Sequence, residues 1–130
     1  MESPSDAIQG RPITLKATLK DELGNPIPGV SIKFQLFNGS IWLTIGSANT
    51  ELNGTASLNY TPLKIGTFQL KALFNGTPNY SQTTSATSSL GVGADPILYY
   101  YVTIAIVMAI LFGVVGYIAF QKRRKKQREE

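Results

Sequence analysis

Ile13-Thr-Leu-Lys-Ala-Thr-Leu-Lys20 alternates apolar and polar residues without a break, and Asp21-Glu-Leu-Gly-Asn-Pro-Ile-Pro-Gly29 then interrupts it. Alternation with a period of two is the signature of a strand with one face buried and one wet. The interruption holds two Gly, one Asn and two Pro, residues that supply left-handed or pre-set backbone geometry for turns. The same grammar resumes at once: Val30, Ile32, Phe34 and Leu36 alternate with Ser31, Lys33 and Gln35. Two such runs joined by a turn cluster point to antiparallel β-structure.

The pattern continues outward. Asn38-Gly39 and Asn53-Gly54 are hairpin-type turns. Between them residues 40–45 make a strand whose facing is ambiguous, because Ile41, Leu43 and Ile45 oppose Trp42. Ala56, Leu58 and Tyr60 form the next alternation, and Phe68, Leu70, Ala72 and Phe74 another, followed by a turn over 75–79 and a last strand over 88–92. About seven short strands with frequent turns and no competing amphipathic helix predict a β-sandwich over residues 12–92. Residues 1–11 read as an extension or linker.

The next segment obeys a different rule. Residues 97–120, from Ile97 to Phe120, contain no Asp, Glu, Lys, Arg, Asn or Gln. As a helix the stretch is roughly 36 Å long, enough to cross a ~30 Å hydrocarbon core with some tilt. Residues 93–96 form a linker ending in Asp95-Pro96, and Pro suits the first turn of a helix. Tyr99, Tyr100 and Tyr101 fall where an interfacial aromatic belt belongs, with Tyr117 and Phe120 near the other interface. The tail, residues 121–130, carries Lys122, Arg123, Arg124, Lys125, Lys126 and Arg128. A cationic cluster at one flank places that flank in the cytoplasm and the sandwich outside, and the same side chains suit anionic headgroups. The expected form is thus a single-pass protein of the cell membrane.

Charge supports this division. The chain has 12 Lys and Arg against 8 Asp and Glu, a net charge of +4. Arg11, Lys16, Lys20, Lys33, Lys64 and Lys71 are matched by Glu2, Asp6, Asp21, Glu22, Glu51 and Asp95, so the surplus belongs to the tail. Beside an apolar helix it speaks for a lipid partner and against a nucleic acid.

Ala105, Ala109 and Gly113 recur every four residues on one helix face, with Gly116 nearby, and small residues at that spacing let helices approach closely. Self-association or a docked protein partner is one reading; ordinary membrane-helix composition is the other.

Several motifs together in the outer domain resemble the bacterial and archaeal Ig-like (Big-type) repeats of cell-surface proteins. They are the run from Pro12 to Asp21, Gly24-Asn-Pro-Ile-Pro-Gly-Val30, Lys33-Phe34, Asn53-Gly-Thr-Ala56 with Tyr60, Gly66-Thr-Phe68, Ala72, Phe74-Asn-Gly76 and Asn79-Tyr80. The resemblance implies an Ig-like sandwich that serves as spacer, stalk or adhesion element, and it implies no activity.

The residue inventory bears on chemistry directly. With no Cys there is neither disulfide nor thiol chemistry, and with no His the usual general base and commonest transition-metal ligand are missing. The carboxylates are scattered over turns and flanks, so no pair is set for acid–base work. The chain reads as non-enzymatic, with no catalytic residue, no cofactor, no bound metal and no small-molecule substrate. Asp21, Glu22 and Asn25 share a turn and could hold a hard cation, but Asp and Asn are common in turns for their own hydrogen bonds. Asn38, Asn53, Asn59, Asn75 and Asn79 each open an Asn-x-Ser/Thr sequon, which has meaning only outside the membrane. An archaeal source fits the sequons and the absence of Cys. Trp42 is expected in the core, with an exposed binding contact as the alternative. Tyr80 is expected at a sandwich corner with its hydroxyl bonded to backbone.

The expected function is that of a membrane-anchored surface module. The rival is an accessory subunit of a larger membrane complex, its helix docked on others. Residues 1–8 lack a basic n-region and an apolar h-region, so an outer domain needs its export explained. A piece of a longer protein is the favoured explanation; a truncated reading frame, a reverse anchor and a tail-anchored cytoplasmic domain are the others.

Overall fold

Eight strands and one helix account for the regular structure of the computed structural model, which describes residues 1–129. In chain order they are β1 (Asp6–Ile8), β2 (Ile13–Thr18), β3 (Ser31–Phe37), β4 (Trp42–Asn49), β5 (Thr55–Tyr60), β6 (Gly66–Phe74), β7 (Thr83–Thr84), β8 (Ser88–Gly93) and α1 (Pro96–Glu129). The chain divides into two units, Met1–Ala94 and Asp95–Glu130.

The first unit is a β-sandwich. One sheet runs β1-β8-β6-β3-β4, with the short β7 also on β6, and the other is the pair β2-β5. The alternation read from the sequence becomes the division between core and solvent. Leu15 and Ala17 of β2 face Ile32, Phe34 and Leu36 of β3, Leu70, Ala72 and Phe74 of β6, and Leu90 and Val92 of β8 in one buried cluster. Leu15, Phe34, Leu70 and Leu90 are wholly shielded. The intervening Lys16, Thr18, Ser31 and Lys33 are exposed. Without a disulfide this cluster carries the fold, and each large aliphatic or aromatic side chain buried in it contributes about 1.5–3 kcal/mol.

Two features depart from the expected layout. Asp6–Ile8, within the stretch read as an extension, is a strand that pairs in parallel with β8, Ala7 opposite Val92. Three residues are too few to show a period, so the strand is visible only through its partner. The facing of β4 is settled by an irregularity: Phe34 pairs with Gly46 but Gln35 pairs with Thr44, leaving Ile45 as an extra residue. A bulge of this kind shifts which residues point inward, which is why one alternation could not describe the strand.

Turns match their residues. Gly54 has φ of 78°, and a Cβ there would lie 2.5 Å from the Leu19 carbonyl oxygen. No other residue type can both take this backbone conformation and leave room for that close approach. Among the described residues Thr50 is the one polar side chain buried in the sandwich. Its hydroxyl donates to the Ile27 carbonyl at 2.7 Å and accepts from the Val30 amide at 3.1 Å. Its backbone also bonds to Gly29 and Val30. The long β2–β3 connection is thereby tied to the β4–β5 turn.

The second unit is α1, 34 residues long with no buried residue.

Candidate functional site

The start of α1 is built by Asp95 and Pro96. The Asp95 carboxylate accepts from the Ile97 amide at 2.9 Å, and its carbonyl accepts from the Tyr99 amide. Asp95 is therefore an N-cap that satisfies an amide the helix leaves orphaned, and Pro96 occupies the position where a missing N–H costs nothing. Thr103, the one aliphatic hydroxyl of the apolar stretch, donates to the Tyr99 carbonyl at 2.8 Å. That bond satisfies a group that hydrocarbon could not solvate.

Among the described residues α1 is the one helix long and apolar enough to cross a membrane. Its surface over residues 97–120 carries no charged or amide side chain and is predominantly apolar, with Tyr101, Val107, Phe112 and Val115 at least half exposed. Ala105, Ala109, Gly113 and Gly116 are exposed on this surface, and a Cβ at either glycine would meet no atom within 4 Å.

The helix does not stop where the apolar stretch does. It continues through the basic tail to Glu129, since Lys, Arg, Gln and Glu are all good helix formers and nothing there breaks it. Gln121 bonds to the Tyr117 hydroxyl at 2.9 Å, and the Arg124 guanidinium lies 5.1 Å from the Phe120 ring centre, one helical turn away. Lys122, Arg123, Arg124, Lys125, Lys126 and Arg128 are all exposed. The last of them sit at a helix C-terminus, where the macrodipole favours cations. Glu130 lies outside the described residues.

In the sandwich the five sequon asparagines, Asn38, Asn53, Asn59, Asn75 and Asn79, are all exposed. Asn38 accepts the amides of Ser40 and Ile41, and Asn53 accepts that of Thr55, so both shape their own turns. Asn59 projects from the wet face of β5 and accepts the Thr14 hydroxyl across the strand pair. The turn-forming role and the sequon coexist, because these bonds engage the amide oxygen.

Two expectations about single side chains change. Trp42 is not in the core. It pairs with Phe37 on the outer face of the larger sheet, ring centres 5.3 Å apart, with the Lys71 ammonium 4.1 Å from its ring centre. The bulge after Phe34 and the outward-facing Phe37 explain this, and Phe37 at the end of a long apolar alternation was the missed signal. Tyr80 is 40% exposed, and its bonds run through its backbone to Thr77 rather than through a corner hydroxyl. Asp21 is engaged within its own turn: one carboxylate oxygen accepts the amides of Leu23 and Asn25, the other the Asn25 side chain. Those bonds, from Asn25 first, hold its pKa below the ordinary carboxylate value. The carboxylate is thus a brace of its own loop, with Asn25 as its main partner.

The match to a family model agrees with this architecture. A family model described as bacterial Ig-like domain (group 3) matches residues 1–93. Among solved structures, that of murine CRIg is similar at 13% identity and a TM-score of 0.43, covering 72% of this chain and 95% of that one. No curated protein matches the chain.

Proposed function

Because the chain belongs to the family of bacterial Ig-like domains (group 3), we propose that it is a non-enzymatic surface module held to a membrane by α1. The observation that carries this is the adjacency of a 24-residue stretch without a charged side chain to a basic cluster on one flank alone. A helix of that length with no charged side chain is stable in hydrocarbon, and the cations on its C-terminal flank favour the cytoplasmic side. The sandwich then lies outside as a spacer, stalk or interaction module, with the exposed amides of Asn38, Asn53, Asn59, Asn75 and Asn79 open to N-glycosylation in a host that performs it.

The absence of cysteine makes a clean test of the topology. Ser47→Cys on the exposed face of β4 and Gln127→Cys in the tail are introduced singly and treated with a membrane-impermeant maleimide on intact cells. The sandwich cysteine labels at once, and the tail cysteine labels only after permeabilisation. The reverse pattern, or equal labelling of both before permeabilisation, overturns the reading.

A further inference from the structure

One end of the sandwich differs chemically from the other. At the end where β8 finishes, the Gln9 amide donates to the Gly93 carbonyl at 2.9 Å, the Gly10 amide to the Pro62 carbonyl at 2.8 Å, and the Gln9 side chain to the Leu63 carbonyl at 2.8 Å. These bonds gather the β1–β2 and β5–β6 connections around the exit of β8. The β3–β4 turn belongs to the same end, since Phe37 pairs with both Trp42 and Gln69 near the start of β6. From these connections project Ile41, Leu63 and Ile65, which are 57%, 73% and 56% exposed. The basic side chains there are Arg11 and Lys64, and residues 9–12, 38–41 and 61–65 contain no acid; the one acid close by in sequence is Asp95, two residues past the end of β8. The opposite end also bares leucines, Leu23 and Leu52 at 87% and 88%, but there the neighbours in sequence are Asp21, Glu22 and Glu51.

We infer that the Ile41, Leu63 and Ile65 tips, with Lys64, rest in the headgroup layer of the bilayer that α1 enters. The occupant follows from chain length and charge. Ala94 and Asp95 alone separate β8 from α1, and three Cα–Cα steps keep Gly93 within about 11 Å of Pro96. Apolar tips among cations match an interface in which side chains reach the acyl boundary and basic groups meet phosphates. Acidic flanks make the Leu23 and Leu52 end unsuited to the same surface. The inference rests on α1 being membrane-embedded, and it holds for either orientation of that helix.

Single cysteines in the full chain, at Leu63→Cys, Ile65→Cys, Leu52→Cys and Met108→Cys, are labelled with a fluorophore. The protein is reconstituted in phosphatidylcholine–phosphatidylglycerol vesicles containing lipids with a nitroxide near the headgroup or at mid-chain. Labels at 63 and 65 are quenched severalfold more by the headgroup nitroxide than the label at 52, and Lys64→Glu weakens that quenching. The label at 108 is quenched by the mid-chain nitroxide. Quenching at 108 with equal, weak quenching at 63 and 52 overturns the inference and leaves the anchor intact. A label at 63 shielded from aqueous iodide yet not quenched by lipid overturns it in favour of a protein contact. An unquenched label at 108 overturns the anchor itself, and the inference with it.

Discussion

In the sandwich, Leu15, Phe34, Leu70 and Leu90 are hidden from solvent entirely, while in α1 no residue is buried at all. Both regions are rich in large apolar side chains, yet they dispose of them in opposite ways. The strands place an apolar residue at every second position and bury that face against a second sheet. The helix is apolar round its whole circumference and exposes that surface, and it is long and apolar enough to cross a membrane. The difference teaches that apolar content alone carries little information here, whereas its period, two in one region and none in the other, tells which surface is covered by protein.

That contrast can be broken by truncating one phenylalanine in each region. Phe34→Ala should cost about 3–5 kcal/mol of sandwich stability, because it empties a fully enclosed site. Phe112→Ala should leave sandwich unfolding unchanged, since its ring lies on the exposed surface of α1. Denaturant unfolding of the full chain in detergent micelles, followed by the fluorescence of Trp42, measures both. Equal losses would mean that the two units do not differ as described.

A smaller effect sharpens how the sandwich holds polar groups, a burden α1 carries through its own backbone ladder. Thr50→Val keeps the shape but strips the Ile27 carbonyl and the Val30 amide of their shared partner. About 1–3 kcal/mol should be lost, the cost of buried groups left unsatisfied. Thr103→Val in α1 removes a hydroxyl whose acceptor, the Tyr99 carbonyl, belongs to the helix interior, so it should leave the sandwich midpoint where it was.

The smallest expected effect concerns pH. The folded-state pKa of Asp21 is lowered by its turn hydrogen bonds, so its contribution is present above the ordinary Asp value of 3.8 and fades as pH falls through the lower folded value. Its exposure keeps the contribution small. Asp21→Asn should therefore shift the sandwich unfolding midpoint slightly at neutral pH and converge with the parent protein in acid. A gap that stays constant down to low pH would show that the carboxylate charge is not what braces the turn.

The local grammar of this chain was open to reading from its residues alone. Ile13 to Lys20 and Val30 to Leu36 each display a strand face directly, because side-chain direction in a strand depends only on position in the chain. The Asn38-Gly39 and Asn53-Gly54 turns, the break at Asp95-Pro96 and the membrane-length helix follow from equally local causes: backbone freedom, capping and unbroken apolarity. The division of the charge, neutral ahead of the helix and basic behind it, needs no structure either. What required the tertiary structure were relations between distant segments. Asp6–Ile8 is a strand only because β8 lies beside it. Trp42 faces outward because a bulge opposite Phe34 resets β4, a property of the pairing rather than of either strand. Thr50 became a buried brace because the β2–β3 connection folds over it. The basic, apolar end formed by residues 9–12, 38–41 and 61–65 exists only once strand order has brought three separate turns around the exit of β8. Periodicity and turn chemistry act over a few residues and are written where they act. Register, sheet order and the composition of a surface assembled from several loops depend on long-range packing, which no single stretch of this sequence contains.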